Sequence, residues 1–116
     1  MPRTGLETAI FFETPDQICA RVFRQLRPRT PLPSITVEFC AFANANSFIR
    51  MEGNRLEFRI SDLLESAPAP VFEALVVILV AKLYRKRAPA EYLSCYRRYL
   101  NRHDVRRTLE DARQKR

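Results

Sequence analysis

Apolar and polar positions change their spacing several times along the chain, and each change marks an element. Thr14-Pro15-Asp16-Gln17 reads as a helix start: Thr14 caps, Pro15 suits the first turn, Asp16 faces the positive helix end, and Gln17 completes a capping box. Ile18, Cys19, Val22, Phe23 and Leu26 then recur on one face, with Arg21 and Arg24 opposite. The proline-rich run Arg27 to Pro33 ends this helix in an extended linker. From Ser34 to Phe42 the spacing shortens to two, with Ile35, Val37 and Phe39 on one face and Thr36 and Glu38 on the other. A second strand is expected over Ser47 to Met51. Glu52-Gly53-Asn54 is a turn, and Arg55 to Ile60 a third strand with Leu56, Phe58 and Ile60 inward.

Helical patterning resumes afterwards. Ser61-Asp62 caps a short turn through Leu64. A helix over Pro70 to Arg87 follows, apolar nearly all round from Ala74 to Ala81. Ala88-Pro89 breaks it. Another helix is expected from Ala90 to Leu100, and a last one from His103 onward with Val105, Leu109 and Ala112 as a narrow stripe. The fold class is therefore α+β: a three-stranded antiparallel meander covered on one face by the Thr14 and Pro70 helices, with two basic C-terminal helices trailing. Residues 1–13 form an N-terminal segment, with no signal beyond Ile10, Phe11 and Phe12. Residues 14–116 form one domain.

Bulk properties narrow the function classes. The chain has 116 residues, enough for one core, and 47% of them are hydrophobic, which fits a folded domain. Two glycines against eight prolines leave little for a phosphate-cradling loop. No signal peptide is visible, and the Ala74–Ala81 run falls far short of the roughly 20 apolar residues of a membrane span. A cytoplasmic, non-membrane protein is expected. Cys19, Cys40 and Cys95 are odd in number and widely spaced, as reduced apolar residues are. The net charge of +7 is concentrated: from Lys82 onward twelve basic residues face four acids, leaving the first 81 residues at −1.

No catalytic constellation is present. A zinc-hydrolase helix needs two imidazoles one turn apart, and the chain has one histidine, His103. That residue has no orienting partner for a Ser-His-Asp or Cys-His arrangement. Glu110 and Asp111 are helix neighbours that diverge, and Glu52 and Glu57 flank the hairpin turn as solvated groups. No cofactor is expected. The segment with functional promise is Glu91 to Arg102 with Arg106 and Arg107. Arg97, Arg98, Arg102, Arg106 and Arg107 suit phosphates and Tyr99 suits base stacking, which describes a surface for DNA or another polyanion. Yet Tyr92, Tyr96 and Tyr99 recur at core-facing spacing beside Leu93 and Leu100. That spacing equally describes a helix docked by its tyrosines with a solvated arginine face, and this reading carries more weight. The same face also suits an acidic partner, and the stripe of the last helix suits self-association.

Three runs carry a family likeness: Ile60-Ser61-Asp62-Leu63-Leu64-Glu65 with Ala67-Pro68; Phe72-Glu73-Ala74-Leu75 through Ala81-Lys82-Leu83-Tyr84-Arg85; and Tyr96 through Arg102. With Ile35-Thr36-Val37-Glu38-Phe39 and Phe42-Ala43-Asn44, they resemble the N-terminal region of bacterial SprT-like proteins. That group is related to the zinc metallopeptidases that include the Spartan DNA–protein crosslink proteases. The likeness spans most of residues 21–116. In that family zinc sits on an HExxH helix downstream of the matched segment, and no position here matches HExxH, so no metal or catalytic residue is carried over. The Phe72–Arg85 helix is nevertheless written like such a helix without its ligands, with Ile78, Leu79 and Lys82 where His, Glu and His belong. The resemblance implies a non-catalytic accessory portion of a SprT-like protein that positions a downstream metallopeptidase-like domain or its substrate.

Overall fold

The computed structural model describes residues 13–41 and 47–102. Helix α1 spans Pro15–Leu26 and begins as the sequence predicts. The Gln17 amide donates to Thr14 Oγ1 at 3.3 Å, and the Thr14 amide donates to Gln17 Oε1 at 2.9 Å, closing the capping box. Ile18, Cys19, Val22 and Phe23 are buried. Leu26, expected on the same face, is 39% exposed, because it reaches past the end of the core.

Strands β1 (Ser34–Cys40), β2 (Phe48–Glu52) and β3 (Arg55–Ser61) form one sheet. The expected all-antiparallel meander is corrected here. The order is β1-β3-β2, with β2 antiparallel to β3 and β1 parallel to it, Ser34 opposite Arg55 and Cys40 opposite Ser61. The β2–β3 hairpin turns on Gly53, whose φ of 59° suits glycine. Central placement of β3 has a physical reason. Leu56, Phe58 and Ile60 are fully buried, whereas the inward residues of β1 and β2 are only partly covered. Putting β3 in the middle shields the largest apolar side chains on both flanks.

Inward positions fall as predicted. The register stacks Ile35 beside Leu56, Val37 beside Phe58 and Phe39 beside Ile60, with Met51 and Ile49 completing two rows. The opposite face is a charge lattice. Arg50 Nη2 donates to Glu57 Oε1 at 2.8 Å, Arg59 Nε donates to Glu57 Oε2 at 3.2 Å, and Glu38 lies 3.7 Å from Arg59 Nε. Glu57 thus belongs to the sheet's outer face, and Arg59 first, then Arg50, holds its carboxyl below the usual range.

A 3₁₀ turn over Asp62–Leu64 is capped by Ser61, whose hydroxyl accepts from the Leu63 amide at 3.3 Å. Helix α2 (Ala69–Leu83) buries Val71, Phe72, Ala74 to Val77 and Leu79 to Ala81, the surrounded helix that its composition requires. It lies over β2 while α1 lies over β1, and the two helices pack together above the sheet. Arg21 bridges them, 2.8 Å from both Glu13 and Glu73. The predicted extension to Arg87 is not made. Arg85 takes φ 57°, and the Lys86 and Arg85 amides donate to the Ala81 and Lys82 carbonyls at 2.7 and 3.0 Å, a Schellman closure. Helix α3 (Ala90–Leu100) packs on α2, at the predicted bounds. Of the two basic C-terminal helices it is the first; the expected second one lies outside the described residues.

Candidate functional site

The arginine surface begins with the orientation of α3. Tyr92, Leu93, Tyr96, Tyr99 and Leu100 are half-buried against the core. Arg97 and Arg98 are therefore turned outward and exposed, and Arg98 Nε reaches back to the Ser94 carbonyl at 3.4 Å. Burial pushes the Tyr96 phenol up to about 12, since its anion would lose hydration. Tyr99 is packed inward, and its ring is covered by the Arg102 guanidinium 5.5 Å from the centroid. The structure thus brings Arg97, Arg98 and Arg102 to one end of the molecule but does not present Tyr99 as an open stacking platform. Arg106 and Arg107, like His103, lie outside the described residues. What remains is an excess of positive charge along this stretch: within Lys82 to Arg102, seven basic residues stand against Glu91 alone.

A second feature lies between the edge strand β2 and α2, which leave a cleft of about 280 Å³. Ser47, Phe48 and Ile49 form one wall and Leu79, Lys82 and Leu83 the other. Period-two alternation turns Ile49 inward and leaves Phe48 45% exposed at the rim. Ser47 is fixed by accepting the Ser61 amide at 3.1 Å. Leu79 and Lys82 stand one helical turn apart and reach the cleft together, as residues at i and i+3 do. No family model matches the chain, and no curated protein or solved structure shows significant similarity to it.

The cleft's chemistry follows from its walls. Phe48, Ile49, Leu79 and Leu83 are hydrocarbons, and Ser47 and Lys82 are the polar members; this set lacks the His, Cys or carboxylate ligands that zinc takes. Among the described residues no three His, Cys, Asp or Glu side chains cluster as a metal site would need. The thiols are unpaired: Cys19 is buried, and burial, with Asp16 nearby, pushes it up to about 12, far from a reactive thiolate. No described helix is long and apolar enough to cross a membrane. Sequence reasoning missed Arg27, read only as the start of a linker. Its guanidinium lies 4.0 Å above the Tyr84 ring, a contact between distant segments that no local pattern signals.

Proposed function

We propose that this chain is a non-catalytic, accessory portion of a bacterial, cytoplasmic SprT-like protein, positioning a metallopeptidase-like domain or its substrate. The observation that carries the reading is the shape of the β2–α2 cleft and the residues that line it. A helix beside an edge strand carries Leu79 and Lys82, the positions where Glu and the second His would stand if α2 is likened to a metallopeptidase helix. On that likeness the helix positions are filled by side chains that do not make up a zinc-ligand set, which supports a binding role. The role left to such a scaffold is to bind and orient.

Two measurements test this. The gene should continue past Arg116 into a segment bearing HExxH. Deleting residues 13–102 from that longer protein should lower crosslink or casein cleavage while leaving its zinc content unchanged. An immediate stop codon, undiminished cleavage after the deletion, or stoichiometric zinc with cleavage by the 116-residue chain itself overturns the proposal.

The outward arginines support a second reading, a polyanion-binding module using Arg97, Arg98, Arg102, Arg106 and Arg107, with DNA as the partner. Contact with about five phosphates would weaken duplex binding roughly twentyfold per doubling of salt. Salt-independent binding, or none at low salt, removes this reading.

A further inference from the structure

One unexplained feature on the helical side is a cavity of about 330 Å³ where the C-terminal ends of α1 and α2 meet the turn leading to α3. Its walls are apolar: Leu26, Val77, Val80 and Pro89. Arg27, Lys86 and Arg87 line it as well, and they arrive from two separate parts of the chain. We propose that this cavity is a binding site for a small organic anion, an apolar body carrying one carboxylate or phosphate head, which Arg27 engages.

Three observations converge on an anion. First, Arg27 Nε is buried and has no hydrogen-bond partner among the described residues. A buried donor without an acceptor costs about 1–3 kcal/mol, which a ligand oxygen recovers once the groups covering Nε move aside to admit it. Second, the guanidinium is held in place, 4.0 Å above the Tyr84 ring, so its fork is oriented before any ligand arrives. Third, acids are missing here and present elsewhere. Arg21, Arg50 and Arg59 each pair with a glutamate, whereas among the described residues no carboxylate pairs with Arg27, Lys86 or Arg87.

A simpler role for the three cations would be to satisfy the helix C-termini. Main-chain hydrogen bonds already do so at the end of α2, and at α1 no hydrogen bond from the Arg27 side chain to a helix carbonyl is formed among the described residues. The Arg27 amide donates to the Phe23 carbonyl at 2.8 Å, and the Lys86 and Arg85 amides close α2. The left-handed Arg85 directs the following residues back over the cavity, and Leu26 spends its apolar surface there instead of in the core. Together, walls and rim define the ligand. Hydrocarbon walls give a bare inorganic ion nothing to bury, and three cations that pair with no carboxylate among the described residues disfavour a neutral guest.

The test uses 1-naphthoate and phenyl phosphate as probes, with 1-naphthalenemethanol as the neutral control, followed by amide chemical shifts on the whole chain. Saturable binding is expected, with shifts centred on Leu26, Val77, Val80 and Ala81. The neutral control should bind about tenfold more weakly. Arg27→Met, which keeps a hydrocarbon over Tyr84, should weaken the anions about tenfold and the alcohol little. The exposed double change Lys86→Gln with Arg87→Gln leaves the core untouched and should weaken the anions about threefold. Equal affinity for anion and alcohol, shifts scattered along α3, unchanged binding in either variant, or no saturable binding overturns the assignment.

Discussion

Helices α2 and α3 start alike and end up in opposite surroundings. Each follows a proline at its N-cap, Pro68 or Pro89, and neither has a side-chain cap. Yet α2 buries nine of its fifteen residues and α3 buries none fully. An uncapped helix of such length is marginal alone, so tertiary contact must hold both. For α2 that contact comes from α1, the sheet and α3 together. For α3 it is a single half-buried stripe of tyrosines and leucines against α2. The difference separates scaffold from attachment: α2 is part of the cooperative core, whereas α3 belongs to the class of elements that open locally at lower free energy.

The largest effect that can break this contrast is a pair of matched truncations. Leu75, 3% exposed in α2, should cost about 3 kcal/mol as Leu75→Ala. Leu93→Ala on the α3 stripe should cost roughly 1 kcal/mol, because its side chain is only half removed from water. Denaturant midpoints measure both. Equal losses would mean that α3 is as much core as α2.

A pH series sharpens the contrast further. Cys19 in α1 and Tyr96 in α3 are each raised by burial to about 12, from ordinary values near 9 and 10. A group raised in the folded state contributes fully below its unfolded pKa and loses that contribution as pH climbs to the folded one. Stability should therefore fall from about pH 9 through Cys19, and more steeply between about pH 10 and 12 as Tyr96 joins. Tyr96→Phe should remove the second component, on the order of 1 kcal/mol per pH unit, and leave the first. Denaturation curves at several pH values read the slope directly. A slope unchanged by Tyr96→Phe would show that α3 is already undocked before the phenol ionises.

Much of this was legible locally, and what was not is instructive. The capping box at Thr14 and Gln17 involves neighbours in sequence, and the strands announce their inward residues by alternation. Alternation is the same for parallel and antiparallel pairing, however. Ile35-Val37-Phe39 and Leu56-Phe58-Ile60 are equally apolar, so nothing in the sequence marks β3 as the central strand. The default that consecutive strands pair then misleads. The tyrosine stripe of α3 was readable from spacing, which placed Arg97 and Arg98 outside. Arg27 over Tyr84 was not, because that contact exists only once α1 and α2 have packed.

The end of α2 is the subtlest miss, and it carries the smallest prediction. Tyr84 to Arg87 are acceptable helix residues with no glycine among them, so the pattern runs on to Arg87. The chain instead stops at Leu83 by placing Arg85 at φ 57°, where a Cβ crowds the neighbouring carbonyl at a cost of about 1–2 kcal/mol. Arg85→Gly removes that crowding but loosens the unfolded chain by about 0.5–1 kcal/mol, which leaves a net gain of roughly 0.5 kcal/mol. The Schellman hydrogen bonds use main-chain groups, so they should survive, along with the placement of Lys86 and Arg87. A rise in thermal midpoint of a few degrees, with α3 still docked by its amide shifts, is the expected result. A drop would show that the Arg85 side chain itself secures the turn, making the junction between scaffold and attachment more than a backbone device.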